Sequence, residues 1–126
     1  MDEEKIELLK KINIEDVIWV IYLVIIGLSF YSNYIERDYI ITESEVSKDR
    51  YRLINMTIFT LAVLIFIYFA YDNYKDVEKL KETDSYEKKK FTYLELCGAI
   101  LALISGLIFL YCAIYDVNVD TEIAFN

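Results

Sequence analysis

The sequence predicts an all-α membrane fold: a three-span transmembrane helical bundle with an amphipathic N-terminal helix and a short cytoplasmic helical hairpin. Three observations predict it. The chain holds three long blocks without formal charge, none of them carries a polar face, and aromatic side chains gather at their ends. The 126 residues leave room for a single domain, and their apolar fraction of 56% exceeds the roughly 45–50% of ordinary soluble domains.

The blocks are residues 17–35, closed by Asp16 and Glu36, residues 53–71, closed by Arg52 and Asp72, and residues 96–115, closed by Glu95 and Asp116. A helix of that length covers roughly 28–30 Å, the thickness of a hydrocarbon core. A soluble three-helix bundle would need a polar residue on each helix every three or four positions. Between residues 18 and 28 only Trp19 and Tyr22 carry a hydrogen-bonding side chain, and residues 61–67 contain none. In lipid such segments satisfy their own backbone amides, as the bilayer requires of anything that crosses it. Trp19, Tyr31, Tyr34, Tyr51, Tyr68, Tyr71, Tyr93, Tyr111 and Tyr115 lie toward the block ends, where an apolar ring with a polar tip fits the headgroup zone.

The first element is the N-terminal arm, residues 1–16. Ile6, Leu9 and Ile12, with Leu8 alongside, recur at helical spacing among Glu and Lys, which predicts an amphipathic helix lying along the inner interface. Span one, residues 17–35, is expected to remain as an anchor rather than be cleaved as a signal. It is longer than an h-region, follows an acidic arm, and ends in Tyr31-Ser32-Asn33-Tyr34 without a small-x-small cleavage site. The outer loop, residues 36–52, is mixed in charge, carries Ile40-Ile41 and has neither Gly nor Pro; it is expected to be partly helical or folded onto the membrane.

After span two, residues 53–71, comes the inner hairpin, residues 72–95. Tyr74, Val77 and Leu80 continue the helical period beyond Tyr71, so helix two is predicted to run on by two or three turns. Asp84-Ser85-Tyr86-Glu87 reads as a capping box that starts helix three ahead of its apolar block, with the turn near Thr83. Lys88, Lys89 and Lys90 form an inner basic cluster, each able to gain up to about 1 kcal/mol from anionic lipid. Span three, residues 96–115, leads to an outer tail, residues 116–126.

Orientation follows Lys and Arg. Lys5, Lys10, Lys11, Lys75, Lys79, Lys81, Lys88, Lys89 and Lys90 fall on one side, against Arg37, Lys48, Arg50 and Arg52 on the other. The expected arrangement is a cytoplasmic N-terminus and an external C-terminus in the plasma (inner) membrane.

The chemistry is defined by what the sequence lacks. With no His there is no imidazole metal site, His-based triad or Glu-x-x-His pair. Gly27, Gly98 and Gly106 all lie inside spans, so no phosphate-cradling loop exists. Glu3, Glu4, Glu7, Glu43 and Glu45 read as surface charge rather than a calcium loop. No catalytic, cofactor-binding or metal-ligating residue is assigned, no cofactor is expected, and at a net charge of −8 nucleic acid is not an expected partner. Cys97 and Cys112 sit about 22 Å apart on one helix and cannot pair with each other.

Transporters leave ionisable groups or broken helices within the membrane, and the spans contain no formal charge and no Pro. Asn55, Thr57 and Thr60 occupy only the outer half of span two. The most informative pattern is on span three, where Gly98, Ala102 and Gly106 recur every four residues with Ser105 beside them. Small side chains let helix backbones approach, a main source of association in lipid, so this is a predicted helix-packing stripe, with intramolecular packing favoured. Glu95, three residues before Gly98, is expected on the same face, pointing toward the bundle; Glu95 and Asn55 are the candidate polar coupling residues.

The expected function is that of a non-enzymatic structural or accessory subunit acting through helix–helix association, with the lipid bilayer and a second copy or partner membrane protein as partners. The alternative is an oligomeric pore-forming or holin/toxin-like membrane effector.

Overall fold

A computed structural model describes residues 2–116 as three α-helices, with no strand among them. They are α1 (Glu3–Thr42), α2 (Glu45–Glu78) and α3 (Tyr86–Tyr115), and all three are long and apolar enough to cross a membrane. Met1 and most of the outer tail, residues 117–126, lie outside the described residues.

Each helix starts where a short side chain satisfies orphan amides. Asp2 accepts from the Lys5 amide at 2.9 Å, Ser44 from Ser47 at 3.4 Å, and Ser85 from Lys88 at 3.1 Å. Glu3, Glu4, Glu45 and Glu87 lie in first turns, where a negative charge complements the helix dipole.

The helices run well past the apolar blocks. At about 1.5 Å per residue α1 is about 60 Å long, twice the thickness of a hydrocarbon core. This length shapes both segments that flank span one, correcting the expectation for the arm and meeting the partly helical reading of the loop. The N-terminal arm is not a separate interfacial helix but the first turns of α1. Nothing between Glu3 and Val17 breaks a helix, and Lys11 ties this stretch to the inner extension of α2. The outer loop contracts to Glu43 and Ser44. Without Gly or Pro both helices continue toward each other, and Glu43 turns the chain in the left-handed region, φ 53°, as residues just past a helix end commonly do. At the inner turn the cap is Ser85 rather than Asp84, which instead accepts from the Lys81 amide at 2.8 Å and pairs with Lys88 at 3.2 Å.

α2 is the central helix. It packs against both α1 and α3, while those two do not pack on each other. Burial agrees: 28% of the apolar window of α2 is buried, against 6% in α1 and 11% in α3. Three helices that close on one another would share a central core; here α1 and α3 flank α2 and leave a groove between them.

The α1–α2 contacts are Lys11 with Asp72 and Asp76, Ser32 with Asn55, and Ser47 with Asp38. The two residue numbers in each pair sum to a nearly constant value, about 85, as straight antiparallel helices of equal rise require. Ile35 and Tyr51 are buried near the outer end, with Tyr39 and Ile54 against them. On the other side of α2, the Phe59 and Phe109 rings stack at 5.7 Å. At the outer end Arg52 Nη2 donates to the Ile114 carbonyl at 3.1 Å, placing a cation and a donor on the unsatisfied C-terminus of α3.

Candidate functional site

The small-residue stripe divides in two. Gly106 is buried against α2 so closely that a Cβ there would lie 2.9 Å from Phe66 Cδ2 and 3.4 Å from Val63 Cγ2. Gly98 is exposed, and a Cβ there would meet nothing within 4 Å. Helix geometry accounts for the split, because each four-residue step drifts about 40° around a straight helix. Over the eight residues from Gly98 to Gly106 the stripe therefore turns by about 80°. Ala102 and Ser105 lie between, half-buried and exposed respectively, and both border the groove between α1 and α3.

Along the apolar blocks this groove is apolar. Its floor is α2, through Ala62 and Phe66; its walls are Tyr22 and Ile25 of α1 and Ala102 and Phe109 of α3, enclosing a cavity of about 420 Å³. Toward the N-terminal end of α1 the same helices frame a second, polar cavity of about 530 Å³. Glu4, Glu7 and Lys11 line it from α1, Asp76 and Lys79 from the α2 end, and Lys88 and Thr92 from α3.

The other sequence candidates fall elsewhere. Asn55 is buried and accepts a hydrogen bond from the fully buried Ser32 hydroxyl at 2.9 Å, joining α1 to α2 rather than facing a lumen. Glu95 is exposed instead of pointing into the bundle. Lys75 lies over the Tyr71 ring at 4.7 Å and Lys88 pairs with Asp84, so neither draws Glu95 inward, and a carboxylate retains its hydration more cheaply in the open. Of the basic cluster, Lys88 and Lys89 hold the inner turn, Lys89 through the Glu82 carbonyl at 3.1 Å, and Lys90 lies over the Phe91 ring at 5.9 Å. Cys97 is exposed and Cys112 half-buried, both as free thiols.

Sequence reasoning missed two sets of residues. Ser32 enters the sequence reading only as part of the Tyr31-Ser32-Asn33-Tyr34 stretch, yet it lies three residues from the end of block one, and Asn55 two from the start of block two, so antiparallel helices place them at one depth. Lys11 enters the sequence reading only through the orientation count, Asp72 only as the end of a block and Asp76 not at all, yet the three converge at 3.2 and 3.3 Å. Burial acts to lower the Lys11 pKa, but the hydrogen bonds and charges of Asp72 and Asp76 outweigh it and leave it above the ordinary lysine value.

Among the described residues no group of three or more His, Cys, Asp or Glu is placed to hold a metal ion. Compared with known protein families, curated proteins and solved structures, the chain matches none. The protein is thus a small all-helical chain with three helices fit to span a membrane, and its role has to be read from its own surfaces.

Proposed function

We propose that this protein is a non-enzymatic accessory subunit that packs α3 against a transmembrane helix of a second copy or of a partner membrane protein. One observation carries this reading: Gly98 lies open on the helix whose related glycine, Gly106, is already closed against α2. Exposed leucines cost nothing in lipid, but an exposed glycine within a span gives up packing that a second backbone would supply. Ser105, also exposed, adds a hydroxyl able to bond across such an interface.

The bias of Lys and Arg supports an N-terminus in the cytoplasm and residence in the plasma membrane. On that orientation the first turns of α1, the end of α2 and the start of α3 form a cytoplasmic helical cluster. Ile6, Leu9 and Ile12, which are exposed, give this cluster an apolar face beyond the end of the first span.

The test is the mass of the purified protein in mild detergent, with its co-purifying chains, for wild type, Gly98→Leu and Gly106→Leu. Gly98→Leu should dissociate the assembly while leaving the subunit's thermal stability unchanged. A Gly98→Leu variant with the wild-type mass and the wild-type set of bound chains would refute the proposal.

A further inference from the structure

Glu15 lies two residues before the first apolar block, and Phe69 two residues inside the end of the second. Antiparallel pairing of α1 and α2 sets them at one height, at the edge of the blocks. There Glu15, Trp19 and Tyr22 of α1 and Phe69 of α2 line a cavity of about 330 Å³. The three α1 positions are one turn apart, so a carboxylate is followed by two rings on one face of the helix. The Trp19 and Tyr22 rings lie 5.6 Å apart, tilted by 52°. Tyr22 also lines the apolar groove, together with Ile25 and Phe66, so the two spaces meet at its side chain. The order along α1 is thus carboxylate, rings and apolar trough, over about 15 Å from Glu15 to Ile25.

We propose that this site binds an amphiphilic cation, its methylated ammonium among Glu15, Trp19, Tyr22 and Phe69 and its apolar chain along the groove. Charge selects the head. Glu15 has no ion-pair partner among the described residues, and Lys11, one turn earlier, is already held by Asp72 and Asp76. A carboxylate beside three aromatic rings attracts a cation both by its own charge and through the ring quadrupoles. Methylation matters because Glu15 and the Tyr22 hydroxyl are the only side-chain acceptors among the described residues lining the cavity. A primary ammonium would bring three N–H donors and leave some of them desolvated and unmet, whereas a quaternary one has none to satisfy. No basic side chain among the described residues lines either space. The phosphate of a zwitterionic lipid would therefore go unmatched, and the ligand that fits carries a net positive charge.

This inference goes beyond helix association and does not require it. The probe is dodecyltrimethylammonium, titrated into the full chain in a neutral detergent and read by the emission of Trp19, the chain's only tryptophan, which lines the cavity. A saturable change is expected. Binding should be weaker by about tenfold or more for tetramethylammonium, which lacks the chain, for dodecylphosphocholine, which adds a phosphate, and for dodecyl sulfate, which reverses the charge. Glu15→Gln, at an exposed position, should weaken binding of the probe by about tenfold, and Phe69→Leu by about threefold, both at unchanged helix content. Asp16→Asn, which removes the neighbouring carboxylate outside the cavity, should keep the wild-type affinity. Dodecyl sulfate or dodecylphosphocholine binding as tightly as the ammonium, an affinity untouched by Glu15→Gln, or an equal loss in Asp16→Asn would each overturn the proposal.

Discussion

The central helix meets its two neighbours by opposite means. Against α1 it uses polar pairs at three heights: Lys11 with Asp72 and Asp76 toward the N-terminal end of α1, Ser32 with Asn55 within the apolar blocks, and Ser47 with Asp38 beside the Glu43-Ser44 turn. Against α3 it uses shape, with Gly106 under Phe66 and Val63 and the Phe59 ring on Phe109, and one hydrogen bond from Arg52 at the outer rim. In lipid an apolar contact gains nothing from exclusion of water, so it must be close to be strong. A polar contact instead fixes register, because sliding the helices would strand a hydroxyl or an amide in hydrocarbon. The α1 seam is thus specified by bonding and tolerant of packing changes, and the α3 seam by packing and tolerant of small shifts along its axis.

The largest expected effect breaks the shape-based seam. Gly106→Leu forces a branched side chain into Phe66 and should destabilise the fold by about 1–3 kcal/mol, read as a lowered detergent unfolding temperature with protease cleavage concentrated in α3. Gly98→Leu, on the same stripe, should leave that temperature alone and act only on assembly.

Next is the buried hydrogen bond. Ser32→Ala and Asn55→Leu should each lower stability, and a double-mutant cycle between them should give a coupling of about 0.6 kcal/mol, up to about 1.7. A coupling indistinguishable from zero would show that α1 is held by packing after all. The same cycle between Ser32 and Gly106, on opposite seams, should be additive.

The Lys11 cluster is half-exposed and worth less. Lys11→Met should cost about 0.5 kcal/mol at low salt, and wild type and variant should converge at 1 M salt, where the screening length is about 3 Å. Smallest is the effect of acid on the inner turn joining α2 to α3. The Lys81 amide, with help from Lys88, holds the Asp84 carboxyl below its ordinary value. A depressed folded pKa stabilises above the unfolded carboxylate value and is lost as pH falls through the folded one. The protection of the Lys81 amide, its exchange rate taken relative to a free peptide at the same pH, should hold at neutral pH and fall only in acid, as the Asp84 carboxylate is protonated below its ordinary range.

The comparison also explains what could be read from the sequence. The spans were legible because charge is expensive in hydrocarbon, and three blocks without it leave few other folds. The alternation of Gly98, Ala102 and Gly106 was legible as a packing stripe, but its division was not, since period four looks uniform in sequence and drifts only on a real helix. The Ser32 and Asn55 pair was hidden because neither residue is unusual alone; their meaning lies in a shared depth. The absence of Gly and Pro from residues 36–52 offered no turn signal, yet to a growing helix that absence is permission to continue. Nothing in the residues announces that α1 and α3 stand apart, because lipid-facing and groove-facing positions have the same composition.

The 40 residues of α1 form one rod, long and apolar enough to cross a membrane. The middle of its apolar block, near Ile26, would act as a fulcrum in a bilayer, with an arm of about 34 Å toward the N-terminus and about 24 Å toward the Glu43-Ser44 turn. A change of tilt of 10°, well inside the range that spanning helices adopt, would swing the inner tip by about 6 Å and the outer tip by about 4 Å in the opposite direction. Whatever leans on the Glu43-Ser44 turn is therefore felt, reversed and enlarged, at Glu4 and Glu7 at the other end of the rod.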